Sequence, residues 1–259
     1  MFATLVSPAP ASSAADAMRY RVTVEQRVKD YGGKVTNAPA LRIDTAISGS
    51  NSRAEVVSGG KEIKTGDVLL TNDGGATIYW IRKRSYQVMD DAYRARITRE
   101  VADKMKVSIR DGRVSTGERG GQETIAGFKT SHGRVTRTFN LGVRVLLLSV
   151  NVDYEDHLDV WTAPELDGVP SIEAAFYETF INMVPFADDE LRSQTDDAAR
   201  QLPKGFPLKW SHEAVTRKDD GSTEEKSTVF TVSEVTRGAD AAGGVSFTLP
   251  DGLKRVEKF

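Results

Sequence analysis

One stretch of the chain places four residues that could bind a metal or transfer protons at every second position. These residues are Asp153, Glu155, His157 and Asp159. Side chains at alternate positions of a β-strand point to one face, so the four could present oxygen and nitrogen ligands to one side of a sheet. Neighbours in such a row lie about 6.5–7 Å apart, too far to share an ion without help from another element. We therefore interpret the row as a solvated strand face and predict no metal site.

Other motifs that carry chemistry are missing from the sequence. The three histidines, His132, His157 and His212, are far apart and form no paired metal-ligand spacing. The chain has no cysteine, which excludes thiol nucleophiles and disulfides. It contains no nucleophile elbow, P-loop or dinucleotide fingerprint. We predict a non-enzymatic protein with no catalytic residue and no cofactor; a hydrolase built from residues distant in sequence stays an alternative.

Charge and hydropathy narrow the classes of partner. Lysine and arginine number 35 against 37 aspartates and glutamates, so no net field attracts the protein to nucleic acid. We also expect a monomer. The longest apolar run, residues 143–152, is shorter than the roughly 20 residues of a spanning helix. Residues 1–18 are rich in Ala, Ser and Pro, with small residues spaced as in a cleavage region. We expect a disordered leader or signal-peptide remnant there, and a periplasmic or secreted bacterial protein.

Period-two alternation and turn signals place most of residues 19–259 in antiparallel strands of one domain. The strongest signal is the pair 68–70 and 76–81 around the turn residues 72–75. Residues 142–162 are predicted as one long central strand, and residues 111–112 and 133 as turns between strand pairs. Helices are predicted at 90–106, 171–184 and 188–202. The remaining predicted strands are 19–28, 41–48, 53–58, 106–110, 114–117, 124–132, 135–140, 206–217, 227–237 and 245–249.

Large apolar side chains have two interpretations. They form a solid core, or they line a groove between a curved sheet and the helix 171–184, since ligand sites are mostly concave and apolar. The fold class we predict is α+β, mainly antiparallel β, with a curved half-barrel sheet closed by helices on its concave face. The candidate ligand-binding residues are Trp80, Leu146, Leu148, Trp161, Phe176, Phe180 and Met183.

Four segments carry a family resemblance: residues 70–81 (LTNDGGATIYWI), 122–130 (QETIAGFKT), 160–166 (VWTAPEL) and 247–253 (FTLPDGL). With them the chain resembles the periplasmic lipoprotein-carrier-like superfamily, and within it the bacterial exported domains of unknown function. The resemblance implies a half-open antiparallel barrel closed by helices, which binds acyl chains in an apolar cavity. Relatives often carry a cysteine shortly after the position of Gly127, and this chain does not.

These observations lead to a first hypothesis and a rival. The first is an exported, non-enzymatic protein that holds a hydrophobic ligand or a lipidated partner between sheet and helix. The rival is an envelope structural or protein-interaction module with a solid core, which docks partners on an exposed strand edge at residues 19–28.

Overall fold

The computed structural model describes residues 17–72, 77–104, 106–117, 122–145, 148–169, 171 and 189–258. Within these ranges the chain is mostly antiparallel β-sheet with few helices, as predicted. The two α-helices are α1 (Asp91–Lys104) and α2 (Asp189–Gln201). The strands are β1 (Met18–Lys29), β2 (Val35–Asn37), β3 (Leu41–Ser48), β4 (Asn51–Ser58), β5 (Val68–Thr71), β6 (Ile78–Arg82), β7 (Ser85–Met89), β8 (Lys106–Gly117), β9 (Glu123–Ile125), β10 (Phe128–Val145), β11 (Leu148–Ala163), β12 (Phe206–Lys218), β13 (Thr223–Arg237) and β14 (Lys254–Arg255).

The strands form one open sheet in the order β14-β7-β6-β5-β4-β3-β1-β13-β12-β11-β10-β8, with β2 beside β1 and β9 beside β10. Neighbours are antiparallel, except that β14 runs parallel to β7. The pairing of β5 with β6 joins Val68 to Ile81 and confirms the hairpin predicted from the turn residues between them.

Strand β1 shows how the alternating pattern sets the inner face of the sheet. Tyr20, Val22 and Val24 are buried, whereas Arg19 and Glu25 are exposed. This burial confirms the strand predicted over residues 19–28. The prediction that this strand is an exposed edge is wrong, because β1 pairs with β13 on one side and with β2 and β3 on the other.

The end of the sheet at β8 is partly covered by α2. The backbone N–H of Val114 donates to Gln194 Oε1 at 3.2 Å, and the Thr116 hydroxyl donates to Gln201 Oε1 at 3.0 Å. Side chains from a helix thereby occupy part of a sheet edge that would otherwise be open to pairing.

Two predicted turns and one predicted strand were wrong. Asp111 and Gly112 lie inside the continuous strand β8, and Gly133 lies inside β10. The reversal before β10 falls at residues 126–127 instead. The predicted central strand 142–162 is two strands, because β10 and β11 pair up to Val145 and Leu148.

Helices and the C-terminal segment give mixed outcomes. Helices α1 and α2 confirm the predictions for 90–106 and 188–202, and none of the described helices is long and apolar enough to cross a membrane. The predicted helix 171–184 lies, apart from Ser171, outside the described residues. The predicted strand 245–249 is wrong: this segment is irregular, and Phe247 and Leu249 pack with Leu253 against Val68, Leu70 and Ile81.

The main apolar core lies on the same face as the inward side chains of β1. It includes Tyr20, whose ring meets that of Phe206 edge-on at 5.3 Å between centroids. Other members are Met18, Val22, Ile47, Val56, Leu166, Leu208 and Val232. Four residues of this core, Val24, Ile43, Ala54 and Val56, also line a cavity on the same face.

Candidate ligand cavity

A cavity of about 370 Å³ lies on the inner face of the sheet. This volume falls in the range of roughly 300–1,000 Å³ that is typical of small-molecule sites. Its wall is predominantly apolar. The lining residues are Val24, Gln26, Leu41, Ile43, Ala54, Val56, Glu62, Ile63, Asp67, Leu69, Trp80, His212, Thr228 and Phe230.

Strand pairing explains why these residues share one face. Directly opposed residues of antiparallel strands point to the same side of a sheet. Trp80 opposes Leu69, which opposes Ala54 on β4. Val24 opposes Leu41 on one side and Phe230 on the other, and Thr228 opposes His212.

The positions of Trp80 and His212 show that the sheet is strongly curved. They lie on β6 and β12, which are six strand intervals apart, or about 29 Å in a flat sheet. Both residues nevertheless line the same cavity. The inner face is therefore concave.

Exposure changes from the floor of the cavity to its mouth. The floor is formed by buried residues, among them Val24, Ile43 and Ala54. The walls, such as Leu69 and Phe230, are half-buried, and Gln26 and Glu62 are exposed. The cavity is thus open to solvent where its lining becomes polar.

Buried Asp67 fixes one wall of the cavity. Its carboxylate accepts hydrogen bonds from Arg82 Nε at 2.9 Å and Arg82 Nη2 at 2.6 Å, and from Trp80 Nε1 at 3.2 Å. The Arg82 guanidinium also lies over the Trp80 ring, 4.9 Å from its centroid. Burial raises the pKa of the Asp67 carboxyl, but the hydrogen bonds from Arg82, the Lys64 backbone and Trp80 lower it by more, so the group stays ionised. The Trp80 ring is held by these contacts.

The opposite wall is backed by a buried ionic cluster. His212 Nε2 lies 3.0 Å from Asp156 Oδ2, and Asp156 also forms an ion pair with Arg137, whose Nε is 2.9 Å from Oδ1. The Tyr154 hydroxyl donates to Asp156 Oδ2 at 3.3 Å. Burial and the neighbouring Asp156 charge raise the pKa of Tyr154 well above its ordinary value. Of the four residues in this cluster, His212 lines the cavity, and Asp156, Arg137 and Tyr154 lie behind it.

The row from Asp153 to Asp159 does not behave as one solvated face. Asp153 and Glu155 are exposed, but Asp159 is buried. The Asp159 carboxylate accepts a hydrogen bond from Arg134 Nε at 2.7 Å, and the same oxygen lies 2.7 Å from His132 Nε2. The buried end of the row is therefore occupied by an ion pair. No group of three or more metal-ligating side chains occurs in the part of the chain that the structure describes.

The structure places only some of the predicted ligand-binding residues. Trp80 lies in the cavity wall. Trp161 does not line the cavity but packs against the main apolar core. There its ring lies 4.4 Å from that of His132 and 4.4 Å from Lys209 Nζ. Leu146, Phe176, Phe180 and Met183 lie outside the described residues, and of Leu148 only the backbone is described.

Most of the lining residues were missed by the sequence analysis. The alternation of apolar and polar residues on β1, β3 and β4 predicts that Val24, Ile43 and Val56 face inward. It does not show which inward-facing residues are core and which surround a void, because this depends on how far the sheet curls.

Comparisons with known proteins add no function. No family model and no curated protein matches the chain. An uncharacterized conserved protein from Thermus thermophilus aligns over 92% of this chain and 89% of its own, at 10% identity and a TM-score of 0.31. A similarity of this size carries no argument about fold or activity.

Proposed function

We propose that this protein is an exported, non-enzymatic binding protein that holds an apolar small molecule, or the acyl chain of a lipidated partner, in the concave cavity. The observation that carries the proposal is the predominantly apolar cavity of about 370 Å³. The proposal extends to the predicted helix 171–184, which would close the concave face over the ligand.

The shape and chemistry of the cavity support binding more than catalysis. Buried aliphatic side chains form its floor, and enclosed apolar surface is what stabilises a bound hydrocarbon chain. Two of the ionisable groups at or behind its wall, Asp67 and Asp156, are each engaged by an arginine. The resemblance to lipoprotein carriers agrees with this kind of ligand.

Mass spectrometry tests the proposal directly. The protein is purified without detergent, measured in its native state and again after organic extraction, and compared with a mock purification. We expect a stoichiometric apolar molecule in the extract, or stoichiometric uptake of a hydrophobic fluorescent dye by protein that was emptied. A protein that carries no such molecule and takes up no dye contradicts the proposal.

Two substitutions on one strand locate the site. Ala54 lines the cavity and is buried, whereas Val57 on the same strand is 42% exposed. Ala54→Phe fills the cavity, so we expect it to reduce dye uptake by about tenfold or more, since a filled cavity leaves no apolar surface for the ligand to bury. Val57→Phe, the matched control, leaves uptake unchanged. Circular dichroism shows that each variant is folded, and Leu41→Trp provides a second cavity-filling variant.

A further inference from the structure

Acidic side chains determine the charge at one end of the cavity. Among the lining residues that the structure describes, Glu62 and Asp67 carry carboxylates, and none is a lysine or arginine. The nearby cation Arg82 is bound to both Asp67 oxygens and to the backbone oxygen of Glu62. Arg82 compensates Asp67, so the carboxylate that remains among the described lining residues at this end is that of Glu62; Lys61 and Lys64 of the same loop do not line the cavity.

The ion pair behind the other end of the cavity is balanced. The carboxylate of Asp156 and the guanidinium of Arg137 compensate each other, and His212 Nε2 lies 3.0 Å from Asp156 Oδ2. Thr228 and Gln26, the remaining polar lining residues, are uncharged. Among the described lining residues, the carboxylate outside the two arginine–aspartate pairs is therefore that of Glu62.

Glu62 is placed where the polar end of a ligand would lie. It is exposed, at the mouth, and the bond from Arg82 Nη2 to its backbone oxygen, 2.6 Å long, holds this part of the loop in place. A hydrocarbon chain on the buried floor leaves its head group at the polar mouth. A cationic head group gains a carboxylate partner there, whereas an anionic one meets a like charge without a lysine or arginine from the described lining.

We infer that the cavity takes amphiphiles with a cationic head group in preference to carboxylates, and that Glu62 sets this preference. The inference rests on the proposed function, since it names the class of ligand for the same cavity. It assigns Glu62 to ligand selection and Asp67 to holding Trp80 and Arg82.

The experiment compares three ligands with the same chain. Phenylnaphthylamine, an uncharged dye, is bound to the full-length protein at neutral pH and displaced by decylammonium, decanol or decanoate below their micelle concentrations. We expect decylammonium to displace the dye at a concentration at least about tenfold lower than decanoate, because one is attracted and the other repelled at the mouth. Added salt narrows this ratio.

Two substitutions assign the preference to one residue. Glu62→Gln is expected to bring decylammonium and decanoate to within about threefold of each other, while decanol is unaffected. Glu55→Gln is the matched control, because Glu55 is an exposed carboxylate that does not line the cavity. If decanoate binds as well as decylammonium, or if Glu62→Gln leaves the ratio unchanged, this inference is wrong and the proposed function stands. If neither the dye nor any decyl compound binds, both are wrong.

Discussion

At the scale of single residues, the described part of the fold contains three buried aspartates that each form an ion pair with an arginine: Asp67 with Arg82, Asp159 with Arg134, and Asp156 with Arg137. Each aspartate also receives a hydrogen bond from an aromatic or imidazole ring: Trp80, His132 and His212. A buried carboxylate with several such partners keeps its charge, because the hydrogen bonds compensate for lost hydration. Two of these pairs adjoin the cavity, so its polar residues are held in place before any ligand arrives.

The Arg137–Asp156 pair gives a prediction about stability. Asp156→Asn keeps the size of the side chain but removes the carboxylate that pairs with the buried Arg137 guanidinium. We expect a loss of about 3–5 kcal/mol in the free energy of unfolding, measured by urea denaturation. Replacing both charges, with Arg137→Met and Asp156→Leu together, is expected to cost less than Asp156→Asn alone. Asp153→Asn on the exposed part of the same strand is expected to change stability by at most about 0.5 kcal/mol. An Asp156→Asn variant as stable as Asp153→Asn would contradict this account.

At the scale of elements, the loop between β4 and β5 forms the mouth of the cavity. The Gly60 N–H donates to the Ile63 oxygen at 2.6 Å, and the Lys64 N–H donates to Asp67 Oδ2 at 3.0 Å. These bonds fold the loop back on itself and place Glu62 and Ile63 beside the sheet. The loop therefore depends on backbone contacts as much as on side chains.

Two adjacent glycines in this loop differ sharply in the space around them. A Cβ atom on Gly59 would lie 2.4 Å from the Thr65 nitrogen and 2.6 Å from the Ile63 oxygen, whereas one on Gly60 meets nothing within 4 Å. We expect Gly59→Ala to cost about 1–3 kcal/mol in urea denaturation and to weaken dye binding, because the backbone of the loop must move. Gly60→Ala is expected to change neither by a measurable amount. Equal effects of the two substitutions would show that the loop does not hold the mouth in place.

Comparison of sequence and structure shows where local signals succeed. Alternation predicted β1, β3, β4 and β12 because each has one buried face. Residues 142–162 were predicted as one strand because their first half is continuously apolar, yet Val150 is 48% exposed. Strand β11 pairs with β12 only as far as Val152. Residues 148–151 of β11 therefore extend beyond the end of β12. Nothing in the local sequence reveals where a neighbouring strand stops.

Glycine positions show the same limit in another way. Gly133 was predicted as a turn, but it lies within β10, where a Cβ atom would approach Pro203 Cδ to 2.5 Å. Its small size is needed for packing against the chain after α2. Asp111 has a positive φ of 56° and lies near a register irregularity between β8 and β10, not in a turn. Turns and bulges favour the same residue types, so composition alone does not separate them.

At the scale of the whole molecule, the two halves of the sheet meet where β1 pairs with β13. Val24 opposes Phe230 across that junction, and both line the cavity. The concave wall is therefore assembled from residues near both ends of the described chain. No local pattern could predict it, because the cavity depends on the curvature accumulated over seven strands.

The ion pairs on both sides of this junction predict how the whole protein responds to acid. Burial raises the pKa values of Asp67, Asp156 and Asp159, but their hydrogen-bonded partners lower them by more, so all three lie below the ordinary value of about 4. A group whose pKa is lower in the folded state binds its proton more readily in the unfolded state. Stability from these groups is therefore fully present above about pH 5 and is lost as the pH falls below 4.

Urea denaturation between pH 7 and pH 2, followed by circular dichroism, measures this loss. We expect the free energy of unfolding to stay nearly constant down to about pH 5, as far as these three groups determine it, and then to fall steeply. In the variant carrying both Arg137→Met and Asp156→Leu, the slope below pH 4 is expected to decrease by up to one proton, because Asp156 no longer titrates. An identical slope in the two proteins would mean that Asp156 is not held in its charged form by the cluster behind the cavity wall. The same measurement with bound dye would then show whether the wall and the cavity are lost together.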